Sequence, residues 1–204
     1  TRTAMDWRDG IMYFVMLDRF YDGDTSNDAP IGGTEQPGQY QGGDLAGLKM
    51  KIDQGYFDQL GINTIWITSP LDNTHLPEKG ADGHEYSGYH GYWPTKAREV
   101  DPRFGTADDL KALVAAAHAH GIRVIQDLVI QHVHQEHEYL ASHPEWFNTT
   151  GCSCGTDNCD WTVHRLDCLF EPYMPNIDWT NEAGGEKKGA DAICVSPDDP
   201  DVLA

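Results

Sequence analysis

The sequence predicts an α/β fold with parallel strands, and three observations support this. Apolar runs of strand length occupy residues 11–17, 62–70 and 122–130. Segments of helical periodicity separate these runs, so the order strand–helix–strand repeats. Strands joined through helices pair in parallel, because the crossover returns the chain to the same end of the sheet. The pattern therefore indicates an α/β sheet or barrel.

Two helices are expected between these strands. The first follows Asp44, a plausible N-cap, and its apolar residues recur at helical spacing until Gly61 ends it. The second begins at the N-cap Thr106, with Asp109 three residues later in a near capping box, and ends at the C-cap Gly121.

The helix–strand periodicity is lost after the third strand. The segment HQEHEYLASHPEWF predicts one short helix that ends before Pro144. The tail contains at most one short strand, at 192–195.

Composition limits the partners of this chain. It has 14 basic and 33 acidic residues, a formal net charge of −19, which argues against nucleic acids and anionic membranes because both bind basic surfaces. This charge is compatible with a secreted protein, a calcium binder or a protein that binds neutral sugars. No apolar run approaches the roughly 20 residues of a membrane helix. No signal-peptide pattern is recognisable and the chain starts at Thr1 rather than Met, so we expect a processed or trimmed product.

Four of the five cysteines lie in one segment, GCSCGTDNCDWTVHRLDC, at positions 152, 154, 159 and 168, while Cys194 stands alone. Close cysteines in an acidic chain without zinc-finger spacing favour two disulfides, and hence an oxidising compartment, secreted or periplasmic. A zinc site is the alternative, because His164 lies among the cysteines and three more histidines precede them. The Cys-x-Cys start, unlike the usual Cys-x-x-Cys, favours disulfides. Four cysteines allow three pairings, and the sequence leaves the pairing open.

Aromatic and imidazole side chains crowd the loop after the second strand. The segment HEYSGYHGYW contains His84, Tyr86, Tyr89, His90, Tyr92 and Trp93. Exposed rings beside polar groups can hold sugars, because a ring covers the apolar face of a pyranose while polar groups bind its hydroxyls. A loop folded on its own aromatic residues explains the pattern equally well.

An acidic loop follows the first strand. The segment DGDTSND places Asp22, Asp24, Asn27 and Asp28 close together. Clustered carboxylates repel one another unless a cation neutralises them, and calcium takes six to eight oxygen ligands. The glycine and distal Glu of an EF-hand are missing. A run of Asx-turns is the alternative interpretation.

The third strand leads to a carboxylate and a histidine, Asp127 and His132. Ligands of parallel sheets and barrels bind beyond the carboxyl ends of the strands. We expect Asp127 to be buried within the strand and to have a partner, because an unpaired buried charge is costly. A histidine such as His132, taken alone, is more often a structural residue than a binding one.

Together these segments resemble the α-amylase family of glycoside hydrolases over residues 9–181. The stretch GYHGYWPTKAREVDPRFGTADDLKALVAAAHAHGIRVIQDLVIQH is similar to the family's second loop through its third strand, with an Asp-x-x-x-x-His motif that starts at Asp127 and ends at His132. The segments YFVMLDRFYDGD, GGDLAGLKMKID and LGINTIWITSP resemble the first strand, first helix and second strand. The resemblance implies the N-terminal portion of a (β/α)8 TIM barrel with a domain B insertion after the third strand. Residues 1–133 would form barrel strands 1–3, 134–180 the cysteine-containing insertion and 181–204 an atypical tail.

The resemblance also implies substrate-binding residues. Tyr92 would stack on the sugar at the cleavage subsite, with Trp93 beside it. His132 would bond the hydroxymethyl group of that sugar, and His90 is the fourth expected substrate contact. Asp127 would be a structural carboxylate that pairs with an Arg on the fourth strand. The partner is then an α-glucan or maltooligosaccharide.

The resemblance concerns two calcium sites of the family, of which we expect only one in this sequence. The family's usual Asn before the strand-three histidine is Gln131 here, and the usual Asp of the domain B motif MPNIDW is Asn176. In the family, the residues at both positions commonly ligate a structural calcium. We expect no calcium between Gln131 and Asn176 in this chain. Some members bind calcium at an N-terminal loop instead. The residues matching that loop are Asp22, Asp24, Asn27, Asp28, Gly42 and Asp44, and we expect calcium there.

The family's catalytic acids have no counterpart in this sequence. Retaining cleavage uses carboxylates on strands four and five and a further Asp beyond strand seven, yet the strand-four motif Gly-[Phe/Leu]-Arg-x-Asp does not occur. A whole barrel needs about 250 residues. We therefore expect a fragment or truncated product that is inactive alone and whose partner is the missing C-terminal half.

The predicted function is part of an enzyme that cleaves or transfers α-1,4-glucosidic bonds in starch-like glucans with retention. One alternative is a non-catalytic, calcium-stabilised glucan-binding fragment. Another is a small zinc-binding interaction protein built on the clustered cysteines and histidines.

Overall fold

A computed structural model of the chain describes residues 6–164 and 168–178. These residues form two compact units. The first unit comprises residues 6–91 and 98–128, and the second comprises residues 92–97, 129–164 and 168–178. The strand expected at 192–195, Cys194 and the tail from residue 181 onward lie outside the described residues.

The first unit contains a three-stranded parallel sheet and the helices that connect its strands. In chain order its helices and strands are β1 (Met12–Val15), α1 (Leu17–Phe20), α2 (Leu45–Asp53), α3 (Tyr56–Gln59), β2 (Thr64–Ile67), β3 (Glu78–Lys79), β4 (Glu85–Tyr86), α4 (Ala107–Ala119) and β5 (Arg123–Gln126). The sheet order is β1–β2–β5, and both pairs are parallel. The predicted parallel α/β architecture is confirmed. Strands β3 and β4 form a small antiparallel hairpin.

The helix expected from Asp44 to Gly61 is two helices. Asp44 caps α2 as predicted, because its carboxylate accepts a hydrogen bond from the Gly47 N–H at 2.6 Å. The helix ends at Asp53, and Gly55 follows it with a φ of 71°, in the left-handed region. A glycine adopts this conformation without the steric cost that a Cβ would add, so the chain turns there before α3 begins.

The start of α4 follows the sequence prediction. Thr106 Oγ1 accepts from the Asp109 N–H at 3.2 Å, and Asp109 Oδ2 accepts from the Thr106 N–H at 2.8 Å. The reciprocal pair is a capping box, which satisfies two backbone donors that the first turn leaves free. Gly121 follows the helix with a φ of 79°.

Strand β1 is buried on one face only in the described residues. Val15 is 1% exposed and packs in a core with residues of α2 and α4. Met12 and Phe14 are 49% and 45% exposed, because alternate side chains of a strand point to opposite faces. The helices of the first unit cover one face, and the other face stays accessible in the part of the chain that the structure describes.

The second unit has shorter elements. Its helices and strands are α5 (Glu138–Ser142), β6 (Phe147–Asn148), α6 (Trp161–His164) and β7 (Asn176–Ile177). Strands β6 and β7 pair antiparallel, and Val133, Phe147 and Ile177 form the buried core. The short helix expected before Pro144 is confirmed as α5. A 3-10 turn, Pro144–Trp146, follows it, and two others lie in the first unit at Trp7–Asp9 and Gln36–Gly38.

Two disulfides link the second unit, as predicted. They join Cys152 to Cys159 and Cys154 to Cys168, so these four sulfurs are not available as zinc ligands. No helix within residues 6–164 and 168–178 is both long and apolar enough to cross a bilayer.

His137 caps α5 from a buried position. Its Nδ1 accepts a hydrogen bond from the Tyr139 N–H at 3.3 Å, and only 3% of the residue is exposed. Burial lowers the pKa of His137 to about 4, while Glu138 opposes this shift and Lys96 adds to it. Protonation would place a hydrogen on the nitrogen that accepts the capping bond, so the folded state favours the neutral ring.

This depressed pKa predicts acid sensitivity of the second unit. The ordinary histidine pKa is about 6.5, so the unfolded chain binds more protons than the folded chain at pH values between about 6.5 and 4. Stability from the neutral ring is present above pH 6.5 and falls as the pH drops. We expect the free energy of unfolding to fall by about 2 kcal/mol between pH 6.5 and 5.

Urea unfolding followed by tryptophan fluorescence at several pH values measures this loss. His137→Gln is expected to remove most of this pH dependence, whereas His143→Gln, at a half-exposed histidine of the same segment, is the matched control and should retain it. An unchanged pH dependence in His137→Gln would show that another group causes the loss.

Candidate functional site

The acidic loop of the first unit is organised by Asp44. Its Oδ1 accepts from the Gly23 N–H at 3.1 Å, and its Oδ2 accepts from the Asp24 N–H at 2.9 Å and from Asn27 Nδ2 at 3.3 Å. Because Asp44 also caps α2, the start of this helix fixes the path of the loop. One buried carboxylate thus joins two segments that lie about 20 residues apart in the sequence.

Two oxygens in this loop are buried without a hydrogen-bond partner. They are Asp22 Oδ1 and Asn27 Oδ1. Burial raises the pKa of Asp28, and the neighbouring charges of Asp22, Asp44 and Asp24 raise it further. Unsatisfied buried acceptors and mutually repelling carboxylates are both costly, and a bound cation relieves both costs.

Gly42 closes the loop at a position that admits no side chain. Its φ is 87°, and a Cβ built there would lie 2.5 Å from Asp28 Oδ1 and 3.4 Å from Asp22 Oδ2. The backbone of this glycine therefore approaches the carboxylates closely. Asp18 fixes Gln41, the residue before Gly42, because both oxygens of Asp18 accept from the Gln41 N–H, at 2.9 and 3.0 Å.

The loop residues fit a hard cation through their unsatisfied oxygens. Within the described ranges, no group of three or more His, Cys, Asp or Glu side chains is placed to hold a metal ion, and Asp44 is already committed to N–H donors. Among the buried side-chain atoms of the loop, Asp22 Oδ1 and the amide oxygen of Asn27 have no hydrogen-bond partner. Calcium prefers such carboxylate and amide oxygens, and tolerates irregular geometry.

In the second unit, His132 is held at both ring nitrogens. Its Nε2 lies 2.9 Å from the Tyr92 carbonyl oxygen, and its Nδ1 lies 3.1 Å from Gln131 Oε1. The ring of Phe170 meets the imidazole edge-on, with centroids 5.5 Å apart. Burial lowers the pKa of His132, and the bond to the Tyr92 carbonyl opposes that shift.

The two aromatic residues expected to bind sugar differ in exposure. Tyr92 is partly exposed, and its carbonyl is the group that holds His132. Trp93 is only 7% exposed, and its ring packs edge-on against Tyr173 with centroids 5.5 Å apart. Trp93 is thus largely buried in the second unit, and its contact with sugar stays a prediction.

Gln131 and Asn176 do not fit a calcium site. Gln131 Nε2 donates to Asn176 Oδ1 at 2.8 Å, and Asn176 Nδ2 donates to the Cys168 carbonyl oxygen at 2.8 Å. The oxygen that a cation would need at Asn176 thus already accepts a hydrogen bond. The two amides bond to each other directly.

The remaining predicted residues, His90 and Asp127, belong to the first unit. The His90 ring meets Tyr89 edge-on, with centroids 5.2 Å apart, and the Arg19 guanidinium lies 3.8 Å from the Tyr89 ring centroid. The expectation that Asp127 is buried inside the strand is wrong, because β5 ends at Gln126 and Asp127 is only partly buried. Its Oδ1 accepts from the Leu128 N–H at 3.0 Å.

Comparison with known proteins places the chain in a family. The family model "Alpha amylase, catalytic domain" matches residues 14–186, most of the sequence. The chain belongs to the alpha-amylase family. Among curated relatives of this alpha-amylase-family chain, the periplasmic alpha-amylase of Escherichia coli K12 is 38% identical over 138 residues, which are 65% of this chain and 20% of that protein. The cyclomaltodextrin glucanotransferase of Geobacillus stearothermophilus is 39% identical over 140 residues, 66% of this chain and 19% of that protein.

Solved structures show the same relationship. The alpha-amylase of Geobacillus thermoleovorans, complexed with acarbose, superposes with a TM-score of 0.66 and 33% identity, over 87% of this chain and 35% of that chain. The cyclomaltodextrin glucanotransferase CldA gives a TM-score of 0.69 and 30% identity, over 85% of this chain and 39% of that chain. The alpha-amylase-family chain therefore has the fold of the N-terminal portion of a (β/α)8 barrel. It spans about one fifth of the length of the curated relatives it matches.

Two residues of the alpha-amylase-family chain were missed by sequence reasoning. Phe170 is 51% exposed although it contacts His132, and it lies two residues after Cys168, where no periodicity marks it. Asp18 is the second residue of α1. It is 1% exposed, and burial raises its pKa to about 6 against the opposing effects of the Gln41 N–H and Arg19.

Proposed function

We propose that this chain supplies part of the α-glucan-binding cleft of an α-amylase-type enzyme, which cleaves or transfers α-1,4-glucosidic bonds in starch-like glucans with retention. The observation that carries the proposal is the arrangement at His132, whose imidazole is fixed by the Tyr92 carbonyl beside the half-exposed ring of Phe170. Exposed rings next to a fixed polar group suit the apolar face and the hydroxyls of a pyranose. Membership of the alpha-amylase family supports the same class of ligand.

The chain's own residues would bind the sugar rather than cleave its bond. Tyr92 and Phe170 would offer ring surface, and His132 would bond the hydroxymethyl group. Gln131 is exposed and its contact with Nδ1 is the longer of the two at His132, so a sugar hydroxyl would replace Gln131 there. We assign no catalytic residue to these 204 residues. The carboxylates of retaining cleavage would come from the rest of the barrel, the C-terminal half that we propose as partner.

The domain limits and the location belong to the same proposal. Residues 1–133 would contribute barrel strands 1–3, and residues 134–180 the insertion after the third strand. Two disulfides in the insertion and the periplasmic relative support a secreted or periplasmic protein, because disulfides persist in oxidising compartments.

We also propose that calcium binds the acidic loop of the first unit. Asp22, Asp24, Asn27, Asp28 and Asp44 would surround it, together with the backbone of Gly42. The unsatisfied oxygens of Asp22 and Asn27 support this assignment. When bound, calcium would supply charge neutralisation and fix the loop at the start of α2.

Glucan affinity tests the proposed binding residues. Tyr92→Ala and His132→Ala are each expected to weaken maltoheptaose binding by roughly tenfold, because each removes a direct sugar contact. Isothermal titration calorimetry measures the affinities. Tyr56→Ala, at a tyrosine of the first unit that is 38% exposed, is the control and should bind as the wild type does. Unchanged affinity in both test variants would contradict the proposed cleft.

A non-catalytic, calcium-stabilised glucan-binding protein is the second candidate. The fixed imidazole of His132 and the unsatisfied oxygens of the acidic loop support it, because they suit sugar and calcium binding without a cleaving acid. The two candidates differ in turnover of a bound maltooligosaccharide, since only the enzyme, with its carboxylates supplied, releases new reducing ends.

A further inference from the structure

A continuous chain of polar contacts in the second unit runs between two backbone carbonyls. At one end, the Cys168 carbonyl oxygen accepts from Asn176 Nδ2 at 2.8 Å, and Asn176 Oδ1 accepts from Gln131 Nε2 at 2.8 Å. Gln131 Oε1 then lies 3.1 Å from His132 Nδ1. At the other end, His132 Nε2 lies 2.9 Å from the Tyr92 carbonyl oxygen. We call this chain of five residues the amide relay.

Backbone pairing holds the amide relay in register. The Ile177 N–H donates to the Gln131 carbonyl at 2.8 Å, and the Val133 N–H donates to the Pro175 carbonyl at 3.0 Å. These bonds flank the contact between the Gln131 and Asn176 side chains on both sides. The two amides therefore meet because the chain segments that carry them are joined by backbone hydrogen bonds.

The amide relay has a fixed direction because both of its ends are carbonyl oxygens. A carbonyl can only accept, so Asn176 must turn its NH2 group to Cys168 and its oxygen to Gln131. Gln131 must then donate to Asn176 and turn its own oxygen to His132. The imidazole thus faces an acceptor at each nitrogen, Gln131 on one side and the Tyr92 carbonyl on the other.

We propose that Asn176 and Gln131 are positioning residues, which without a metal ion orient the His132 imidazole so that a hydrogen-bond acceptor faces each ring nitrogen. A neutral imidazole has one N–H and can satisfy only one of the two acceptors. Protonation of the ring satisfies both, while burial of the ring opposes the charge. The amide relay therefore shifts the balance toward the doubly protonated ring relative to a protein in which the relay is broken.

This role deepens the proposed glucan site and, in its consequence for sugar binding, rests on it. When Nδ1 carries a proton, His132 donates to the oxygen of an incoming hydroxyl, which takes the place of the Gln131 oxygen. The orientation of the ring itself is a property of the unliganded protein and is measured without sugar.

Nitrogen NMR of the protein labelled with 15N-histidine measures the ratio of doubly to singly protonated His132, with the signals assigned through His132→Gln. At one pH near the ordinary histidine pKa of about 6.5, Asn176→Ala and Gln131→Met are expected to lower this ratio by about two- to tenfold, the effect of one lost hydrogen bond. Gln131→Glu is expected to raise it, because a carboxylate then faces Nδ1.

Asn148→Ala is the matched control, because Asn148 is the register partner of Asn176 in the β6–β7 pair and lies outside the amide relay. Its ratio should equal that of the wild type, with or without a calcium chelator. Gln131 is exposed, so its two variants decide the matter if Asn176→Ala does not fold. An unchanged ratio in the Gln131 variants, an equal fall in Asn148→Ala, or a fall on chelation alone would overturn the proposal. Lost glucan affinity with an unchanged ratio would overturn the relay and leave the proposed function standing.

Discussion

Replacing Cys154 and Cys168 together by serine is expected to destabilise the protein by about 3 kcal/mol and to weaken glucan binding. The disulfide between them closes a loop with a sequence separation of 14 residues. Removing it raises the chain entropy of the unfolded state, which lowers the free energy of unfolding by that amount. Glucan affinity falls as well because the Cys168 carbonyl anchors Asn176, and through it Gln131 and His132. Urea unfolding and maltoheptaose titration measure the two effects.

The double variant of Cys152 and Cys159 is the matched control. This disulfide spans 7 residues, so its loss is expected to cost somewhat less, about 2.5 kcal/mol. Neither of its cysteines contributes a group to the amide relay, so glucan affinity should remain close to the wild-type value. Equal losses of glucan affinity in the two double variants would contradict a specific role for Cys168.

Asp22→Ala is expected to abolish the calcium-dependent rise in melting temperature. A ligand present at 100 times its dissociation constant stabilises the folded state by about 2.7 kcal/mol, and the variant loses one of the two unsatisfied buried oxygens that would face the cation. Differential scanning calorimetry with calcium and with a chelator measures the shift. Metal analysis after gel filtration gives the bound calcium directly.

Asp108→Ala is the control for this calcium effect, because Asp108 is a strongly exposed carboxylate in the first turn of α4. It should respond to calcium as the wild type does. A wild-type protein without bound calcium and without a calcium-dependent melting shift would show that the acidic loop is a set of Asx-turns.

Local chemistry explains which parts of this fold could be predicted. The Thr106–Asp109 capping box, the Asp44 cap and the parallel order of the three strands depend on neighbouring residues or on strand–helix order, and each is present. Gly55 shows the limit of periodicity, because the apolar spacing continues past it while its backbone turns. The turn at Gly55 separates α2 from α3, so that one predicted helix is two.

The parts of the site that could not be predicted depend on distant residues. The acidic loop was recognisable, but the commitment of Asp44 to N–H donors of the loop became visible only with the fold. Likewise, the contact of Gln131 with Asn176 crosses 45 residues. The sequence showed two departures from the family pattern at these positions, and only the structure showed that the two amides bond to each other.

The central claim is that this chain binds α-glucan but carries no catalytic acid, and one measurement tests it directly. The wild-type 204-residue chain is incubated with maltoheptaose, while calorimetry reports binding and chromatography reports shorter or rearranged glucans. We expect saturable binding and unchanged maltoheptaose after prolonged incubation. Release or rearrangement of glucans by the chain alone would contradict the assignment of the acids to other sequence, and no binding would contradict the cleft.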